Sequence, residues 1–336
     1  MSAFTGRAIL DTWHFWLFLH FIFHVKIHYG LDNFEAKRPV VTIGTFDGVH
    51  LGHREVIAEL KRIAHETGGE SVVFTFSPHP RMVVTPNEDT IRLLTSQAEK
   101  CILLEELLLD HLVIYPFTRE FASLSYTEFV KNILVDQMHI CKLVTGYDHK
   151  FGHDRQGDFQ ALKILGELHG FEVEQLDPLL VENVAVSSTK IRQALETGDI
   201  QKASHYLGYP YLLKGKVIEG RRLGREIGFP TANILPDDQH KLIPTDGVYA
   251  VLVNVGGVNY KGMLNVGSRP TVNTNVDHRS IEVHILDFSA DIYQSDISVS
   301  FVERIRNEVK FGSLDQLKEQ LVFDKIRTLS IFANLI

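Results

Sequence analysis

Two closely spaced histidines, His50 and His53, are the residues of this sequence most suited to chemistry. They end the stretch Gly-Thr-Phe-Asp-Gly-Val-His-Leu-Gly-His at residues 44–53, which follows the apolar run Val40–Ile43. This order predicts a buried strand, a glycine-rich turn and a helix over about residues 51–64 that begins beside both imidazoles. A helix N-terminus offers N–H donors and a partial positive charge to an anion. The stretch therefore predicts a phosphate-binding turn, and a strand–turn–helix with two incidental histidines is the plainer alternative.

Three further stretches place polar side chains where predicted strands end or a helix begins. They are Phe76–Pro80, with a histidine between two prolines, Gly146–Gly152, with an acid, an imidazole and an ammonium, and Ser187–Arg192. In the last stretch Lys190 and Arg192 lie in the first turn of a predicted helix, where cations oppose the helix dipole. An anion between these cations and the helix N–H groups would explain them. Ordinary loop chemistry accounts for each stretch alone, but ligands bind beyond the carboxyl ends of parallel strands, so we expect one shared site.

A second group of candidate residues lies in the glycine-rich, basic stretch Gly220–Asn233. Its glycines permit close approach of the backbone to a phosphate. Thr231 and Asn233, two apart on an extended segment, point the same way and offer oxygen ligands that suit Mg²⁺. In the alternating run 281–288, Glu282 shares a strand face with His284 and Leu286, and among apolar neighbours it could accept a proton. A basic loop at a barrel rim and a solvated edge-strand glutamate are the plainer alternatives.

The elements that must position these residues fall into two patterns. Apolar strands alternate with amphipathic helices over the first part of the chain, which predicts a parallel sheet covered on both faces, with strands at 40–43, 71–76, 112–115 and 142–145 and helices at 54–66, 97–109 and 120–133. Two helices, at 188–196 and 199–205, predict a packed connection. Beyond Tyr211, short strands separated by turn residues predict an antiparallel barrel, with strands at 249–255, 260–266, 281–288 and 297–306 and a helix at 313–322.

Length and composition limit the classes of protein to consider. A chain of 336 residues is long for one core, so two domains are expected. The net charge of −8 argues against a nucleic-acid-binding protein, which would need a basic face. The two cysteines, Cys101 and Cys141, have neither a metal-binding nor a paired spacing. They indicate a reducing compartment, and we expect the protein to be cytoplasmic.

The N-terminal residues 1–25 form an atypical apolar extension. The apolar run Trp13–Val25 is shorter than the ~20 residues that span a bilayer, and no small-residue cleavage site follows it. We expect no stable membrane insertion and predict that the functional protein begins near Val25. A membrane-surface anchor and a metal site formed by His14, His20 and His24 are the alternatives.

These residues resemble the motifs of a known family. Residues 44–53 look like the HxGH motif of nucleotidylyltransferases, and with the loops above, residues 26–205 resemble the FMN adenylyltransferase half of bacterial bifunctional riboflavin kinase/FAD synthetases. Residues 206–336 resemble the riboflavin kinase half, with the Pro-Thr-Ala-Asn motif at 230–233 and further matches at 246–249, 265–271 and 306–311. The resemblance implies an α/β nucleotidylyltransferase domain, Rossmann-like with a parallel sheet, followed by a small antiparallel β-barrel domain with a C-terminal helix.

The resemblance also implies the activity and the roles of individual residues. The family phosphorylates riboflavin with ATP to FMN and then joins FMN to the α-phosphate of ATP, giving FAD and pyrophosphate, with Mg²⁺ as cofactor. Glu282 would be the base that activates the riboflavin hydroxyl, and His50 and His53 would stabilise the adenylyl transition state. Thr231 and Asn233 would bind Mg²⁺ and ATP. Further ATP- or phosphate-binding positions would be Gly44, Phe46, Asp47, Gly48, Asp148, Ser188, Thr189, Arg192, Gly220, Gly224 and Gly228, and flavin-binding positions would be Pro78, His79, Arg306 and Glu308.

Two other interpretations are weighed against this one. Many relatives have an aromatic residue and an arginine where this chain has His149 and Lys150, so the chain could keep only one of the two activities. Alternatively, it could be a flavin-binding regulatory protein with degenerate catalytic sites. A binding protein has no use for a base and metal ligands, and all five of the residues that act in catalysis or bind metal by the resemblance are present. The sequence therefore favours the bifunctional enzyme, and it predicts no oligomeric state.

Overall fold

The computed structural model of the chain describes residues 25–85, 91–146, 158–177, 179–181, 184–220, 223–268 and 279–334. These residues form two compact units that interleave along the sequence. Of the described residues, the first unit comprises those within 25–46, 52–85 and 101–179, and the second those within 47–51, 91–100 and 180–334. The predictions made for residues 1–24, which include His14, His20 and His24, and for Asp148, His149 and Lys150 lie outside the described residues.

A six-stranded parallel sheet forms the centre of the first unit. Its strand order is β1-β4-β3-β2-β5-β6, and its strands are β1 (Lys26–Tyr29), β2 (Val40–Ile43), β3 (Ser71–Ser77), β4 (His111–Pro116), β5 (Lys142–Gly146) and β6 (Glu172–Leu176). The inner strands are buried along most of their length because helices cover both faces of such a sheet. One core cluster combines strand residues such as Phe74 and Val113 with helix residues such as Phe129 and Leu162. The predicted parallel sheet is thus confirmed.

Two of the helices predicted for this part of the chain differ from those of the structure, and the helices at Pro80–Val84 and Phe159–His169 were not predicted. The observed helices are α1 (Leu51–Thr67), α2 (Pro80–Val84), α3 (Gln97–Glu105), α4 (Arg119–Ala122), α5 (Tyr126–Phe129), which continues into a π-helical segment (Val130–Val135), and α6 (Phe159–His169). The single helix predicted at 120–133 is wrong, because Ser125 starts a new helix through a capping box with Glu128. The helix predicted to reach Leu109 ends at Glu105, and Leu108 has a left-handed φ of 53°.

The second unit contains a closed six-stranded antiparallel barrel. Its strand order is β10-β13-β12-β11-β14-β9, and its strands are β9 (Leu212–Ile218), β10 (Ala232–Pro236), β11 (Gly247–Val255), β12 (Val258–Ser268), β13 (Arg279–Ile285) and β14 (Asp296–Arg306). A small hairpin, β7 (Leu180–Val181) and β8 (Val184–Ala185), precedes the barrel. Alternate residues of β14, such as Ile297, Val299 and Phe301, are buried, as expected for strands with one face on the core. The predicted antiparallel barrel is confirmed.

The helices of the second unit are α7 (Ser188–Thr197), α8 (Ile200–Leu207), α9 (Leu223–Glu226) and α10 (Leu314–Ala333). Ile191 of α7 and Leu207 of α8 are fully buried in the same core cluster as Leu213 and Val253 of the barrel. The predicted packed connection is therefore part of the barrel unit. Helix α10 is longer than the predicted 313–322, although Ser313 caps it as expected. Where the structure describes the chain, its helices are too short or too polar to cross a membrane.

A half-buried histidine of β1, His28, contacts a fully buried histidine of β4, His111, in the first unit. His28 Nε2 lies 2.9 Å from His111 Nδ1, and His111 Nε2 lies 3.3 Å from Glu70 Oε2. Phe34 makes edge contacts with both rings, and His111 is fully buried. Burial lowers the pKa of both histidines below their ordinary value, and the ring of His111 lowers the pKa of His28 further. The folded unit therefore favours neutral rings.

This lowered pKa predicts a stability that is lost in mild acid. The unfolded chain takes up protons on these rings more readily than the folded chain, so their contribution is present above the ordinary histidine pKa and falls as the pH drops below it. We expect the fall in thermal midpoint between pH 8 and pH 5.5 to be about 3 °C smaller in the double variant His28→Gln/His111→Gln. His65→Gln on the exposed side of α1 is the matched control. An equal pH slope in all three proteins would contradict the prediction.

Candidate active sites

The turn between β2 and α1 bends sharply through residues in left-handed conformations. Gly44 continues β2, and its N–H donates to the carbonyl of Phe74 at 3.0 Å. Phe46, Gly48 and Val49 have φ values of 48°, 85° and 36°. A Cβ atom on Gly48 would lie 2.8 Å from Leu94 Cδ1, so both the conformation and the space at this position require glycine. The strand–turn–helix predicted for residues 40–64 is thus confirmed.

The two histidines lie at the start of α1. His50 directly precedes the helix and is almost fully buried, whereas His53 occupies the first helical turn and is half-buried. The ring of His53 packs against Phe46 with a centroid distance of 5.1 Å. The first turn of this 17-residue helix reads Leu-Gly-His-Arg, so the positive end of the helix dipole is not offset by a carboxylate of that turn. This end of the helix can therefore receive an anionic group.

The carboxylate of Asp47 is turned away from solvent and is bonded inside the second unit. Asp47 Oδ1 accepts hydrogen bonds from the N–H groups of Leu94 and Thr95 at 2.9 and 3.0 Å, and Oδ2 pairs with the Arg192 guanidinium. The backbone of the turn is held in the same way, since Thr95 Oγ1 accepts from the N–H of Gly48 at 3.1 Å. Asp47 is only 3% exposed. In this structure the Arg192 guanidinium therefore pairs with a carboxylate of the chain itself.

Helix α7 brings Ser188 as well as Arg192 to this turn. Ser188 Oγ donates to the carbonyl of Asp47 at 2.9 Å. Thr189 follows it and is exposed, and Lys190 Nζ donates to the carbonyl of Ala185 at 2.8 Å. From outside the predicted set, the hydroxyl of Tyr209 donates to the carbonyl of Gly48 at 2.6 Å. The structure thus brings together Asp47, Gly48, Ser188 and Arg192.

The predicted flavin residues of the first unit lie at the end of β3. Pro78 follows the strand, and His79 is the N-cap residue of α2, where its Nδ1 accepts from the N–H of Arg81 at 3.3 Å. His79 is half-buried and Pro78 is exposed. Both therefore follow the carboxyl end of a parallel strand, which is where such sheets bind ligands.

In the barrel, three oxygen-bearing side chains lie on adjoining strands. Asn233 of β10 is directly opposite Glu282 of β13, and Thr231, two residues before Asn233, donates from Oγ1 to Glu282 Oε2 at 3.4 Å. Residues directly opposite each other in an antiparallel pair share one face of the sheet. Within the described residues there is no group of three or more His, Cys, Asp and Glu that could hold a metal ion. A hydroxyl, an amide oxygen and a carboxylate are nevertheless a donor set that Mg²⁺ accepts.

Close packing requires two of the predicted glycines of this barrel loop, and a left-handed backbone conformation favours glycine at the third. A Cβ atom on Gly220 would lie 1.9 Å from Asn233 Nδ2, and one on Gly224 would lie 2.2 Å from the carbonyl oxygen of Phe229. Gly228 has a φ of 83°. The loop backbone therefore folds directly onto Asn233, and a side chain at Gly220 would displace the amide.

The strand face predicted for Glu282, His284 and Leu286 is correct only for the first two residues. Strand β13 ends at Ile285, and Asp287 has a left-handed φ of 56°. Leu286 lies beyond the strand and is buried against Phe229 and Met263. Glu282 and His284 are half-buried, and the Nδ1–H of His284 donates to the carbonyl of Pro230 at 2.7 Å. Burial lowers the pKa of His284 and so favours the neutral ring, and the hydrogen bond to Pro230 opposes this.

Of the two residues predicted to bind flavin at the end of the barrel, Arg306 is held by a neighbour that the sequence did not reveal, and Glu308 lies against the backbone of β12. Arg306 donates from Nε and Nη2 to the buried carboxylate of Asp324 in α10 at 2.9 and 2.8 Å. The Glu308 carboxylate lies over the backbone of Gly267, where a Cβ atom would be 2.1 Å from Oε1. The guanidinium of Arg306 therefore fixes the end of β14 to α10. No local pattern could have indicated Asp324, Tyr209 or Thr95, because each lies far from its partner in sequence.

The chain matches the sequence models of two families side by side. The FAD synthetase model matches residues 33–190, and the riboflavin kinase model matches residues 207–332.

Curated relatives match almost over their whole length. They include proteins named bifunctional riboflavin kinase/FMN adenylyltransferase from Haemophilus influenzae (40% identity over 91% of this chain and 98% of the relative), Listeria monocytogenes (38%, 93% and 98%) and Escherichia coli K12 (36%, 92% and 98%). A crystal structure of a Streptococcus pneumoniae protein, described as a macrolide-efflux protein, has a TM-score of 0.81 and 32% identity over 90% of this chain and 98% of that one. That description is the other protein's own, and the likeness shows a shared architecture.

The contacts of Asp47 predict a large loss of stability when its charge is removed. In Asp47→Asn the amide oxygen can still accept from the two backbone N–H groups, but Arg192 keeps a largely buried charge without its anion. We expect the free energy of unfolding, measured by urea titration, to fall by about 3 kcal/mol. Asp296→Asn, which loses an exposed ion pair with Lys216, is the matched control. Equal losses in the two variants would contradict a buried ion pair at Asp47.

Proposed function

The chain belongs to the family of bifunctional riboflavin kinase/FMN adenylyltransferases, and we propose how its residues make both flavin cofactors. It phosphorylates riboflavin with ATP to give FMN, and it then adenylylates FMN with a second ATP to give FAD and pyrophosphate. One observation carries this proposal: a single chain holds both a phosphate turn at a helix start and a hydroxyl–amide–carboxylate cluster on a barrel. The first suits adenylyl transfer, and the second suits the phosphorylation of an alcohol.

Phosphorylation is assigned to the barrel cluster. Glu282 accepts the proton of the riboflavin 5′-hydroxyl as that oxygen bonds to the γ-phosphorus of ATP and ADP leaves. The hydrogen bond from Thr231 orients the carboxylate, and the cross-strand position of Asn233 keeps its amide on the same face. Thr231 and Asn233 would hold Mg²⁺, which when bound neutralises charge on the phosphates. Gly220, Gly224 and Gly228 let the loop backbone approach the nucleotide.

Adenylyl transfer is assigned to the turn at the start of α1. A phosphate oxygen of FMN attacks the α-phosphorus of ATP and pyrophosphate leaves, so the reaction needs positioning and charge neutralisation but no base. His50, His53 and the N–H groups of α1 supply that neutralisation. The turn residues Gly44, Phe46 and Gly48 shape the phosphate site, and Thr189 and Asp148 complete the nucleotide contacts. Asp47, Ser188 and Arg192 serve this site by holding the turn.

Flavin contacts are assigned to two places. We infer that Pro78 and His79, after β3, contact FMN during adenylyl transfer. In the barrel, Glu308 contacts riboflavin, and Arg306 supports it by fixing the strand end to Asp324.

The adenylyltransferase domain is assigned to residues 26–205 and the kinase domain to residues 206–336, with residues 1–25 outside both. The partners are then riboflavin, FMN and ATP, with no nucleic acid. Cys101 and Cys141 are not joined by a disulfide bond, which supports the proposed cytoplasmic location.

The kinase assignment is tested with the purified chain, riboflavin, ATP and Mg²⁺, followed by chromatographic separation of the flavins. The wild-type protein should form FMN and then FAD. Glu282→Gln should lower FMN formation roughly 10²–10⁴-fold, because the hydroxyl loses its base, and should leave FAD formation from supplied FMN intact. Glu303→Gln, another glutamate of the barrel, is the matched control. Equal loss of both activities in Glu282→Gln would refute two separate sites, and a wild-type protein that binds flavin without converting it would be a regulator.

The adenylyltransferase assignment predicts the reverse pattern for a histidine at the start of α1. His53→Ala should lower FAD formation from supplied FMN about 10²–10³-fold through the loss of transition-state stabilisation. FMN formation from riboflavin should stay unchanged. His65→Ala, at the last turn of the same helix, controls for the loss of an imidazole from α1. Full adenylyl transfer by His53→Ala would remove His53 from the site.

A further inference from the structure

A buried ion pair that the two reactions do not use joins residues 91–100 to the barrel. The side chains of Glu99 and Lys241 are each only 1% exposed, and Lys241 Nζ lies 2.6 Å from Glu99 Oε2. Lys241 Nζ also donates to the carbonyl of Leu94 at 2.6 Å and lies 4.3 Å from the centre of the Tyr211 ring. Burial lowers the pKa of Lys241, and Glu99 opposes this by favouring the ammonium form. The ammonium is therefore held by two hydrogen bonds to protein groups and lies near an aromatic ring, away from solvent.

Glu99 is equally well bonded. Its Oε1 accepts from the N–H of Lys214 in β9 at 2.8 Å, and its Oε2 accepts from the N–H of Ser96 at 2.8 Å. The backbone adds two bonds, from the N–H of Leu93 to the carbonyl of His240 and from the N–H of Leu242 to the carbonyl of Leu93, both at 2.7 Å. Residues 93–99 are therefore bonded to the barrel unit through both side-chain and backbone hydrogen bonds.

The same short segment holds the phosphate turn. The N–H groups of Leu94 and Thr95 are the two backbone donors to Asp47, and the hydroxyl of Thr95 accepts from Gly48. The carbonyl of Leu94 is bonded to Lys241, and its N–H is bonded to Asp47. Leu94 is thus hydrogen-bonded both to Lys241 of the barrel unit and to Asp47 of the turn.

We propose that Lys241 is a positioning residue for adenylyl transfer, which acts from the barrel by fixing residues 93–99 and through them the turn that ends at His50. The proposal rests on the proposed function of that turn. Lys241 touches no reacting atom in this scheme, and phosphorylation at Glu282 does not depend on it.

The chemistry of the pair supports a positional role. Taking two charges out of water is costly, and apolar residues of similar volume often stabilise a core as well or better. A charged pair with fixed hydrogen-bond partners instead specifies one arrangement of the segment. If Lys241 is removed, Glu99 keeps an uncompensated buried charge, and the segment must shift to bring that charge to water.

The test compares both activities in Lys241→Met. We expect the KM for ATP in adenylyl transfer to rise about tenfold, because a support of the phosphate turn is lost. The kcat and KM of riboflavin phosphorylation should stay within about twofold of wild type. Hydrogen–deuterium exchange should become faster in peptides covering residues 44–51 and 91–100, with no change in β11 and β14.

Two further variants separate positioning from general loss of stability. Val299→Ala makes a cavity in the same barrel and should lower the thermal midpoint without changing the KM for ATP in adenylyl transfer. The double variant Glu99→Gln/Lys241→Met removes the buried charge together with its partner, so it should fold and recover part of the ATP affinity lost in Lys241→Met.

The proposal is overturned if Lys241→Met and the double variant lose both activities in parallel, or if they leave both activities and amide exchange at wild-type values. If the wild-type chain itself forms no FAD from FMN, the proposed function fails instead. The exchange measurement then still decides whether Lys241 holds the turn, because faster exchange at residues 44–51 supports the anchoring and unchanged exchange refutes it.

Discussion

The turn between β2 and α1 depends on the bonds of one buried carboxylate, that of Asp47. A carboxylate without water must be paired or fully hydrogen-bonded, and this one has two backbone N–H donors and the guanidinium of Arg192. These partners come from residues 94–95 and from α7, so the geometry of the turn is set by segments far from it in sequence. The left-handed residues Phe46, Gly48 and Val49 are tolerated because such contacts fix both ends of the turn.

The barrel cluster is held by a different constraint, which is the close approach of backbone to side chain. Gly220 leaves no space for a side chain beside Asn233, and the β10–β13 ladder places Asn233 opposite Glu282. The register of the β10–β13 pair thus fixes the positions of these side chains, as the buried ion pair of Asp47 and Arg192 fixes the turn. The same device recurs at Gly267, over which the Glu308 carboxylate lies.

Local signals in the sequence predicted those features that depend on neighbouring residues. The apolar run Val40–Ile43 indicated a buried strand, and Ser313 indicated the start of α10. The helix expected at 120–133 failed because the cap at Ser125 outweighs an uninterrupted periodic pattern. Partners distant in sequence could not be predicted in this way. The cations Lys190 and Arg192 indicated an anion near the start of α7, but no sequence pattern indicated that Arg192 pairs with Asp47.

One of the two reactions needs an accessible carboxylate and the other is hindered by one, and the two proposed sites differ accordingly. Phosphorylation of an alcohol needs a proton acceptor, and the proposed acceptor, Glu282, is half-buried on a strand face. Adenylyl transfer joins two phosphates, so a carboxylate charge beside them would repel both the nucleophile and the nucleotide. The only acid of residues 44–53 is Asp47, and its charge is buried and paired with Arg192. Because the Asp47 charge is paired, the groups at the start of α1 that can bind an anion are the imidazoles and the helix N–H groups.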